Sequence, residues 1–299
     1  MERKIVYLIN PISGTKGKKS VKQAIISATE RRNIPFEILH TVPSGDYGFL
    51  KNRIINENIT DVVVCGGDGS VSAVAAVLKG VDVNTGIIPL GSGNGLALSA
   101  GIPRSPEKAL EIVFKGKASF VDGFYINDSF SCMLCGLGFD AQVAHQFALQ
   151  KRRGLATYVR ISTINFFSSR HYPFTITAEG RSFSTDAFFL SIANSNQFGN
   201  NVKIAPRASL SDGLLDIVII KRMNKMLLPF SLLAQFNGFN AHQQIASDSL
   251  KSRVLYFQTG HLTIANEGLA PLHIDGDPVA TSASFNIRIA RNAIRLLQP

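Results

Sequence analysis

The sequence is short of cysteine and of long apolar runs. Its 299 residues include only 3 cysteines, too few for a disulfide framework, which predicts a cytoplasmic protein in a reducing compartment. Cys132 and Cys135 have CxxC spacing without a second pair, so they give little support to a metal or redox role. No apolar run reaches the about 18 residues that span a membrane, and the run at 5–9 is too short for a signal peptide.

Acidic residues are also few, which leaves the chain strongly basic. Asp and Glu total 21 against 31 Lys and Arg, a net charge of +10. This excess favours nucleotides, nucleic acid or anionic lipid as partners without choosing among them. With 45% hydrophobic and 17% charged residues the chain is a folded protein, long enough for one large or two ordinary domains.

One stretch, residues 62–71, combines a buried strand, a glycine-rich turn and the start of a helix. Its sequence is Val-Val-Val-Cys-Gly-Gly-Asp-Gly-Ser-Val. The β-branched run predicts a strand buried on both faces, and the apolar residues from Val71 onward keep helical spacing. Such a turn aims backbone N–H groups and the positive end of a helix at an anion. Asp68 adds a carboxylate beside that anion. Because a carboxylate repels a bare phosphate, it needs either a metal ion or a proton to accept, so we expect phosphate chemistry here.

Strands and helices alternate up to residue 126. We predict strands at 4–9, 35–40, 62–65, 85–90 and 120–126, with helices at 18–31, 46–56, 70–79 and 106–114. This alternation predicts a doubly wound α/β domain, in which ligands bind beyond the carboxyl ends of the strands. The loops at 10–17, 41–45, 66–70 and 91–95 are therefore expected at one edge of the sheet.

The pattern changes after residue 126. Two helical segments, 141–149 and 155–167, precede short strand candidates at 172–178, 187–193, 214–220, 254–258, 261–265 and 285–290. Asp-Gly and Glu-Gly turns separate them, which predicts a mostly antiparallel β domain. We expect an ATP-binding domain over 1–126 together with 291–299, and a β-rich lipid-substrate domain over 127–290.

Six motifs resemble those of lipid kinases with a diacylglycerol-kinase catalytic domain, a family that includes bacterial diacylglycerol kinases and sphingosine kinases. They occur in the family's order and extend nearly from end to end. They are Asn-Pro-Ile-Ser-Gly at 10–14, Gly-Gly-Asp-Gly-Ser at 66–70, Pro-Leu-Gly-Ser-Gly-Asn at 89–94, Gly-Leu-Gly-Phe-Asp-Ala at 136–141, the stretch 204–216, and Ile-Asp-Gly-Asp at 274–277.

The resemblance implies a kinase that uses ATP and Mg²⁺ to phosphorylate a lipid hydroxyl. It places the ATP phosphates against glycine and hydroxyl donors at loop–helix junctions. These residues are Asn10, Pro11, Ile12, Ser13, Gly14, Thr41, Gly66, Gly67, Asp68, Gly69, Ser70, Ser92 and Asn94.

The resemblance also names catalytic acids and a metal loop. Asp275 and Asp277 match the family's Asp-Gly-Glu motif, whose acids serve as or support the general base, and Asp68 completes the catalytic set. Taken alone, Asp275-Gly276 also fits an ordinary hairpin turn. A structural Mg²⁺ would use Asp212 and main-chain oxygens of Ser209 and Leu214, since Mg²⁺ prefers oxygen ligands. His145 and His273 show no ligand spacing and are interpreted as packing or surface residues.

Two departures from the family pattern bear on the metal and the base. Gly95 stands where bacterial diacylglycerol kinases usually have an aspartate, which belongs to an acidic network with Asp68 and an acid matched here by Asp122. Its loss puts Mg²⁺ linkage in that network in question. Asp277 replaces a glutamate and is one methylene shorter, so backbone position or a water must make up the reach.

Two segments suggest access to lipid. The apolar segment 226–239 fits an acyl pocket, a membrane interface or a helix packed in the core. Lys151, Arg152 and Arg153 could contact anionic headgroups, and at about 1 kcal/mol per basic residue they would give transient attachment. We expect a cytoplasmic protein at the membrane periphery, with an anionic membrane surface and a lipid as partners and no nucleic acid. The oligomeric state stays open, a homodimer included.

Three functions remain to be separated. The first is the lipid kinase, whose acceptor the sequence does not identify. The second is an NAD kinase, which shares the Gly-Gly-Asp-Gly turn, although the Gly-Ser-Gly-Asn sequence at 91–94 speaks against it. The third is a catalytically silent nucleotide- or lipid-binding regulator, which the retention of Asp68, Asp275 and Asp277 disfavours.

Overall fold

The computed structural model describes residues 2–10, 18–42, 44–150, 155–197, 202–243, 245 and 252–299. It separates into two compact units, Met1–Asp122 with Asn292–Pro299, and Gly123–Arg291. Two strands, β5 and β15, contribute residues to both units.

The first unit alternates strands and helices along the chain. Its elements are β1 Ile5–Ile9, α1 Lys18–Glu30, β2 Phe36–His40, α2 Phe49–Asn56, β3 Asp61–Gly66, α3 Asp68–Leu78, β4 Asn84–Pro89, α4 Gly95–Ser99, α5 Pro106–Lys115 and β5 Lys117–Ile126.

A parallel sheet forms the core of this unit. Strand β1 lies between β2 and β3, and β3 pairs on its other side with β4. Both β1 and β3 are buried along their whole length, as expected of β-branched strands covered on both faces. Helix α3 buries Val71, Val74, Ala75 and Leu78, a helical stripe that matches the predicted period. Because all four strands run the same way, their carboxyl ends meet at one edge.

The second unit is mostly antiparallel β structure. Its elements are β6 Ser129–Ser131, β7 Leu134–Gly138, α6 Phe139–Ala148, α7 Leu155–Ser168, β8 Tyr172–Ala178, β9 Arg181–Ala193, β10 Leu215–Lys221, a 3₁₀ turn Lys225–Leu227, α8 Leu228–Phe236, β11 Val254–Thr259, β12 His261–Ala265, β13 Leu272–Ile274, β14 Asp277–Val279 and β15 Ser284–Gln298.

Strand β9 organises this unit because it pairs with three neighbours. It pairs antiparallel with β8 through its first half, and with β7 and β10 through its second half. The sheet continues from β7 to β13 and β14, and from β8 to β12 and β15. Phe174, Leu190, Ile217 and Phe257 are members of its main apolar cluster. The edge hairpin β13–β14 is thereby held against a buried strand.

Both parts of the predicted fold class are confirmed, and the differences are local. Strand β8 and strand β12 have the predicted bounds, whereas β15 continues to Gln298 and pairs in parallel with β4 at Arg295 and Leu296. The polar pair Arg291-Asn292 hid this extension, since it breaks the apolar alternation. The N–H of Asn292 donates to a buried acceptor, Asp122 Oδ1, at 2.8 Å.

The helices give no membrane span. Among the described residues, no helix is both long enough and apolar enough to cross a membrane.

Candidate active site

The carboxyl edge of the parallel sheet brings three predicted residues together. The N–H of Asn10, after β1, donates to Cys65 O at 3.0 Å, and the N–H of Thr41, after β2, donates to Ile9 O at 3.0 Å. The side chain of Asn10 donates from Nδ2 to Ser70 Oγ at 2.9 Å. Asn10, Thr41 and Ser70 therefore lie at one edge, as the strand pattern predicts.

Two glycines leave this edge without side chains. A Cβ added to Gly91 would lie 2.5 Å from Gly67 Cα, which no real Cβ tolerates. The N–H of Leu90 donates to Gly66 O at 2.8 Å and holds the two loops side by side. The 66–70 and 91–95 loops thus pack backbone against backbone, beside the start of α3, whose N-cap residue Gly67 has no side-chain cap. Such a surface suits an oxyanion.

Asp68 has a more specific task than the sequence indicates. Its Oδ2 accepts the N–H of Asn94 at 2.7 Å, and its Oδ1 accepts the N–H of Gly95 at 2.6 Å. The carboxylate therefore binds the start of α4 with both oxygens, and charge-assisted bonds of this kind stabilise its negative charge. Neither a metal ion nor a proton is needed to account for an acid at this position.

Asn94 closes its own loop. It adopts a left-handed backbone conformation with φ of 58°, which asparagine tolerates better than most residues. Its Oδ1 accepts the N–H of Gly91 at 2.9 Å, and its Nδ2 donates to Gly91 O at 2.7 Å. The side chain is 4% exposed. Asn94 thus shapes the loop on which the exposed Ser92 stands.

The network expected around Gly95 is built from main chain. Residue 95 offers its N–H to Asp68, a contact that needs no side chain. Asp122 is 3% exposed and accepts the N–H of Asn292. The two acids therefore hold α4 and the returning end of β15, and this accounts for a glycine at position 95 without loss of loop structure.

Thr41 is held from the far side by a buried tyrosine. Tyr47 is 2% exposed, and burial raises its pKa, while hydrogen bonds with Val42 and Thr41 act in the opposite direction. Burial also raises the pKa of the Cys65 thiol, at the end of β3. Cys65 is therefore a packing residue under the site.

Pro11, Ile12, Ser13 and Gly14 lie outside the described residues, as do Lys151, Arg152 and Arg153.

In the second unit, Asp275 and Gly276 form the two-residue turn of the β13–β14 hairpin. Ile274 pairs with Asp277 across it, and φ is 51° at Asp275 and 87° at Gly276. Positive φ at both positions is the mark of a type I′ turn. The hairpin interpretation is therefore confirmed, and it does not remove the chemical one. Asp277, the first residue of β14, is exposed.

Asp275 is a buried carboxylate with its own donors. It is 9% exposed, and its Oδ1 accepts from Ser131 Oγ at 2.6 Å and from the N–H of Leu134 at 3.0 Å. Its own N–H donates to Leu134 O at 2.8 Å. Burial of a carboxyl group is costly unless hydrogen bonds compensate, so this side chain is fixed in place. Sequence patterns gave no sign of Ser131, which lies 144 residues away in the chain.

The predicted metal loop contains a second acid. Asp212 Oδ1 accepts the N–H of Leu214 at 3.0 Å, and Gln258 Nε2 lies 3.3 Å from Asp212 Oδ2 and 3.1 Å from Asp216 Oδ2. Two carboxylates thus converge on one amide nitrogen. Oxygen donors of this kind, with the main-chain oxygens of Ser209 and Leu214, fit the chemistry of Mg²⁺. Across the described residues, no group of three or more His, Cys, Asp or Glu side chains could hold a metal ion.

Comparisons with known proteins cover both units. Residues 4–126 match the diacylglycerol kinase catalytic domain, and residues 134–298 match the YegS C-terminal NAD kinase beta sandwich-like domain. A Shewanella frigidimarina protein named "Probable lipid kinase YegS-like" is 26% identical over 295 residues, covering 95% of this chain and 92% of the relative. The diacylglycerol kinase of Mycobacterium tuberculosis is 28% identical over 224 residues, 72% of each chain.

The fold is shared with a solved structure. A crystal structure of a diacylglycerol kinase from Bacillus anthracis superposes with a TM-score of 0.70 at 16% identity, over 100% of this chain and 97% of that one. The matches of both domains and of the named relatives confirm the resemblance seen in the motifs. The chain therefore belongs to the lipid kinase family that carries the diacylglycerol kinase catalytic domain.

Proposed function

We propose that this protein transfers the γ-phosphoryl group of ATP to a hydroxyl group of a lipid, with Mg²⁺ as the metal. The observation that supports this most is the bare backbone at the carboxyl edge of the parallel sheet, where Gly67 and Gly91 touch without room for a side chain. Phosphoryl transfer leaves the protein mainly with positioning and charge neutralisation. A glycine surface next to a helix start is suited to both.

The first unit would bind the triphosphate. Backbone N–H groups of residues 66–70 and the hydroxyls of Thr41, Ser70 and Ser92 are the donors, with Asn10 fixing Ser70. Pro11, Ile12, Ser13 and Gly14 belong to the same proposed set. Asp68 and Asn94 act one step removed, since their side chains hold the 91–95 loop that carries Ser92.

The second unit would supply the base. Asp275 accepts the proton of the lipid hydroxyl as its oxygen forms a bond to the γ-phosphorus and the bond to the β-phosphate oxygen breaks, releasing ADP. The proton passes to the carboxylate, which Ser131 and Leu134 hold in one orientation. Asp277 supports it with a second negative charge, while Asp68, predicted in the catalytic set, acts through the 91–95 loop.

Mg²⁺ would supply charge neutralisation of the phosphates when bound with ATP. A separate structural Mg²⁺ would be held by Asp212 with main-chain oxygens of Ser209 and Leu214, while the neighbouring Asp216 is bound by Gln258 and His242. We assign the ATP-binding domain to residues 1–126 with 291–299, and the lipid-substrate domain to 127–290.

An exposed helix face supports access to a membrane. Met226, Phe230 and Leu233 are 80%, 70% and 56% exposed at spacings of four and three residues, so they form one stripe on α8 and the preceding 3₁₀ turn. Phe239, just beyond the helix, is 80% exposed. Only Leu228 and Gln235 of α8 are fully buried. The segment is therefore half core and half surface.

Basic residues occur near this segment. Lys225 lies in the 3₁₀ turn, and the side chain of Arg222 is 65% exposed. Gln235 Nε2 donates to Ile204 O at 2.7 Å. This bond holds residues 203–207, which include the exposed Lys203 and Arg207, next to α8. Exposed apolar groups with cations nearby suit the interface of an anionic bilayer, to which each cation near the surface adds about 1 kcal/mol. We propose this bilayer as the surface that α8 contacts.

The function is tested by supplying ATP labelled in the γ-phosphate, with Mg²⁺, to the full chain in three parallel reactions. One contains mixed micelles of diacylglycerol, a sphingoid base, phosphatidylglycerol and a long-chain prenol, one contains NAD, and one contains neither. Label in the organic phase is expected. Label on NAD would support the alternative kinase, and no transfer to either would leave a binding protein.

The membrane contact is tested by vesicle flotation. We expect binding to vesicles rich in phosphatidylglycerol, less to phosphatidylcholine, and a loss of binding in the double variant Phe230→Ser/Leu233→Ser. Ile55→Ser is the matched control, since Ile55 is 72% exposed in the first unit. Unchanged binding of the double variant, or an equal loss in the control, would contradict this surface. If the double variant instead has a lower molecular mass in solution than the wild type, the exposed face of α8 is a contact between two copies of the chain.

A further inference from the structure

We infer that His273, anchored by Asp140, is a positioning residue for the turn that carries Asp275. The inference rests on the proposed role of Asp275 as base. His273 and Asp140 are 3% and 6% exposed, and neither has a part in the function described so far. Both lie in the second unit, His273 on β13 and Asp140 at the start of α6.

The hydrogen bonds of His273 determine which ring nitrogen holds the proton. Its Nδ1 accepts the N–H of Gly276 at 3.2 Å, so Nδ1 has no proton of its own. The proton of the neutral ring is therefore on Nε2, which lies 3.3 Å from Asp140 Oδ2 and donates to it. A carboxylate behind a histidine fixes both the tautomer and the ring orientation.

Space for this pair is made by a glycine. A Cβ added to Gly136 would lie 2.0 Å from Asp140 Oδ2 and 2.7 Å from His273 Nε2. Asp140 is fixed in turn, because its Oδ1 accepts the N–H of Ala141 at 2.9 Å. The strand β7, the helix α6 and the hairpin thus meet at this polar contact.

The result is a turn held at both of its residues. At Asp275, Leu134 binds the backbone N–H, and Ser131 and Leu134 bind the carboxylate. At Gly276, His273 binds the N–H. Asp275 has φ of 51°, a left-handed conformation that aspartate adopts in a type I′ turn. We assign to His273 part of the precision with which this turn is held, and an error of about 1 Å in the position of a catalytic group can cost about 100-fold in rate.

Two substitutions separate positioning from simple stability. In His273→Asn the amide oxygen replaces Nδ1 as acceptor for Gly276, but the donor to Asp140 is lost. In His273→Gln the amide nitrogen replaces Nε2 as donor to Asp140, but the acceptor for Gly276 is lost. His261→Asn is the matched control, because His261 is exposed on β12 and its Nε2 contacts Asn286.

The two variants should rank in opposite order for stability and for activity, with His273→Gln the more stable and His273→Asn the more active. We expect His273→Gln to keep its melting temperature and lose about 10- to 100-fold in kcat with an unchanged KM for ATP. We expect His273→Asn to melt lower, because Asp140 loses its donor, and to keep most of its kcat. Amide hydrogen exchange at Gly276 should be faster than wild type only in His273→Gln.

Other results would overturn the inference. Activity that follows melting temperature in both variants would show that His273 is structural only, and full activity in His273→Gln would show that the turn does not need it. If the wild-type protein phosphorylates no lipid, the proposed function fails. Amide hydrogen exchange at Gly276 still tests the role of His273 in that case. Equal exchange rates in the two variants would show that His273 does not hold the turn.

Discussion

At the scale of single residues, two acids of the first unit act on backbone N–H groups. Asp68 binds the first N–H groups of α4, and Asp122 binds the N–H of Asn292. A sequence motif predicts that such acids bind a metal ion or take part in catalysis, because it contains the residue type but not the hydrogen-bond partners. The sequence does not reveal which groups these acids bind. The N–H groups of residues 94 and 95, which Asp68 accepts, lie more than twenty positions from it in the chain.

Substitution of Asp68 by asparagine tests this interpretation. An amide has only one acceptor atom, so the variant loses one charge-assisted bond, at a cost of about 1.5–3 kcal/mol of unfolding free energy. We expect a lower melting temperature and a higher KM for ATP, because the 91–95 loop loosens. A variant that melts like wild type but has no turnover would assign Asp68 to the chemistry itself.

Some residue roles could be predicted from the sequence, and others could not. The turn at 66–70 and the Asp-Gly hairpin are local in sequence, so glycine and β-branched residues identify them. Ser131 and Asp140 are found only from coordinates, because each acts on the 273–276 segment from more than 130 positions away. Absence of ligand spacing predicts only a packing or surface role for His273, which the structure places among the buried residues.

At the scale of elements, the contact between the β3–α3 and β4–α4 turns is sensitive to a single methyl group. Gly91→Ala would place Cβ 2.5 Å from Gly67 Cα, and backbone cannot move aside as a side chain can. We expect a loss of about 1–3 kcal/mol of unfolding free energy and of ATP binding.

A second glycine provides the control for this substitution. Gly48→Ala would meet only the end of the Asp46 side chain, at 3.2 Å, and Gly48 has helical backbone angles. Chemical denaturation and titration with ATP would compare the two variants. Equal stability and equal ATP affinity would show that the two turns do not form the surface proposed here.

Helix α2 and strand β1 are joined by a surface ion network with a pH signature. Arg53, with Lys4, lowers the pKa of Glu57 to about 2 from 4.5. Since the pKa is lower in the folded protein, the contribution to stability is complete above pH 4.5 and is lost as the pH falls towards 2.

The variant Glu57→Gln measures that contribution. It should melt below wild type at pH 7, and the difference should shrink as the pH falls from 4.5 towards 2. Glu30→Gln, at the end of α1 and exposed, should melt like wild type at both extremes. A difference in melting temperature that stays constant with pH would mean that the bond to Arg53 does not stabilise the fold.

At the scale of the whole molecule, the alternation of strands and helices followed by short strands was enough to predict the fold class. It was not enough for β15, whose polar residues conceal a strand that runs to Gln298. It also left the segment 226–239 undecided, because exposure of Phe230 and burial of Leu228 depend on what packs against α8.

We propose nucleotide binding in the first unit and proton abstraction in the second. These tasks should therefore separate in one variant. Asp275→Asn keeps the size of the side chain and its acceptor oxygen but removes the basic carboxylate. Its loss of general base catalysis should cost about 100- to 10,000-fold in kcat, without a change in ATP affinity.

The most direct measurement is a paired one on wild type and Asp275→Asn, in which ATP affinity is measured by calorimetry and phosphate transfer to lipid by γ-label. We expect equal dissociation constants for ATP in the two proteins and phosphate transfer in the wild type alone. Near-normal transfer by Asp275→Asn would contradict this expectation.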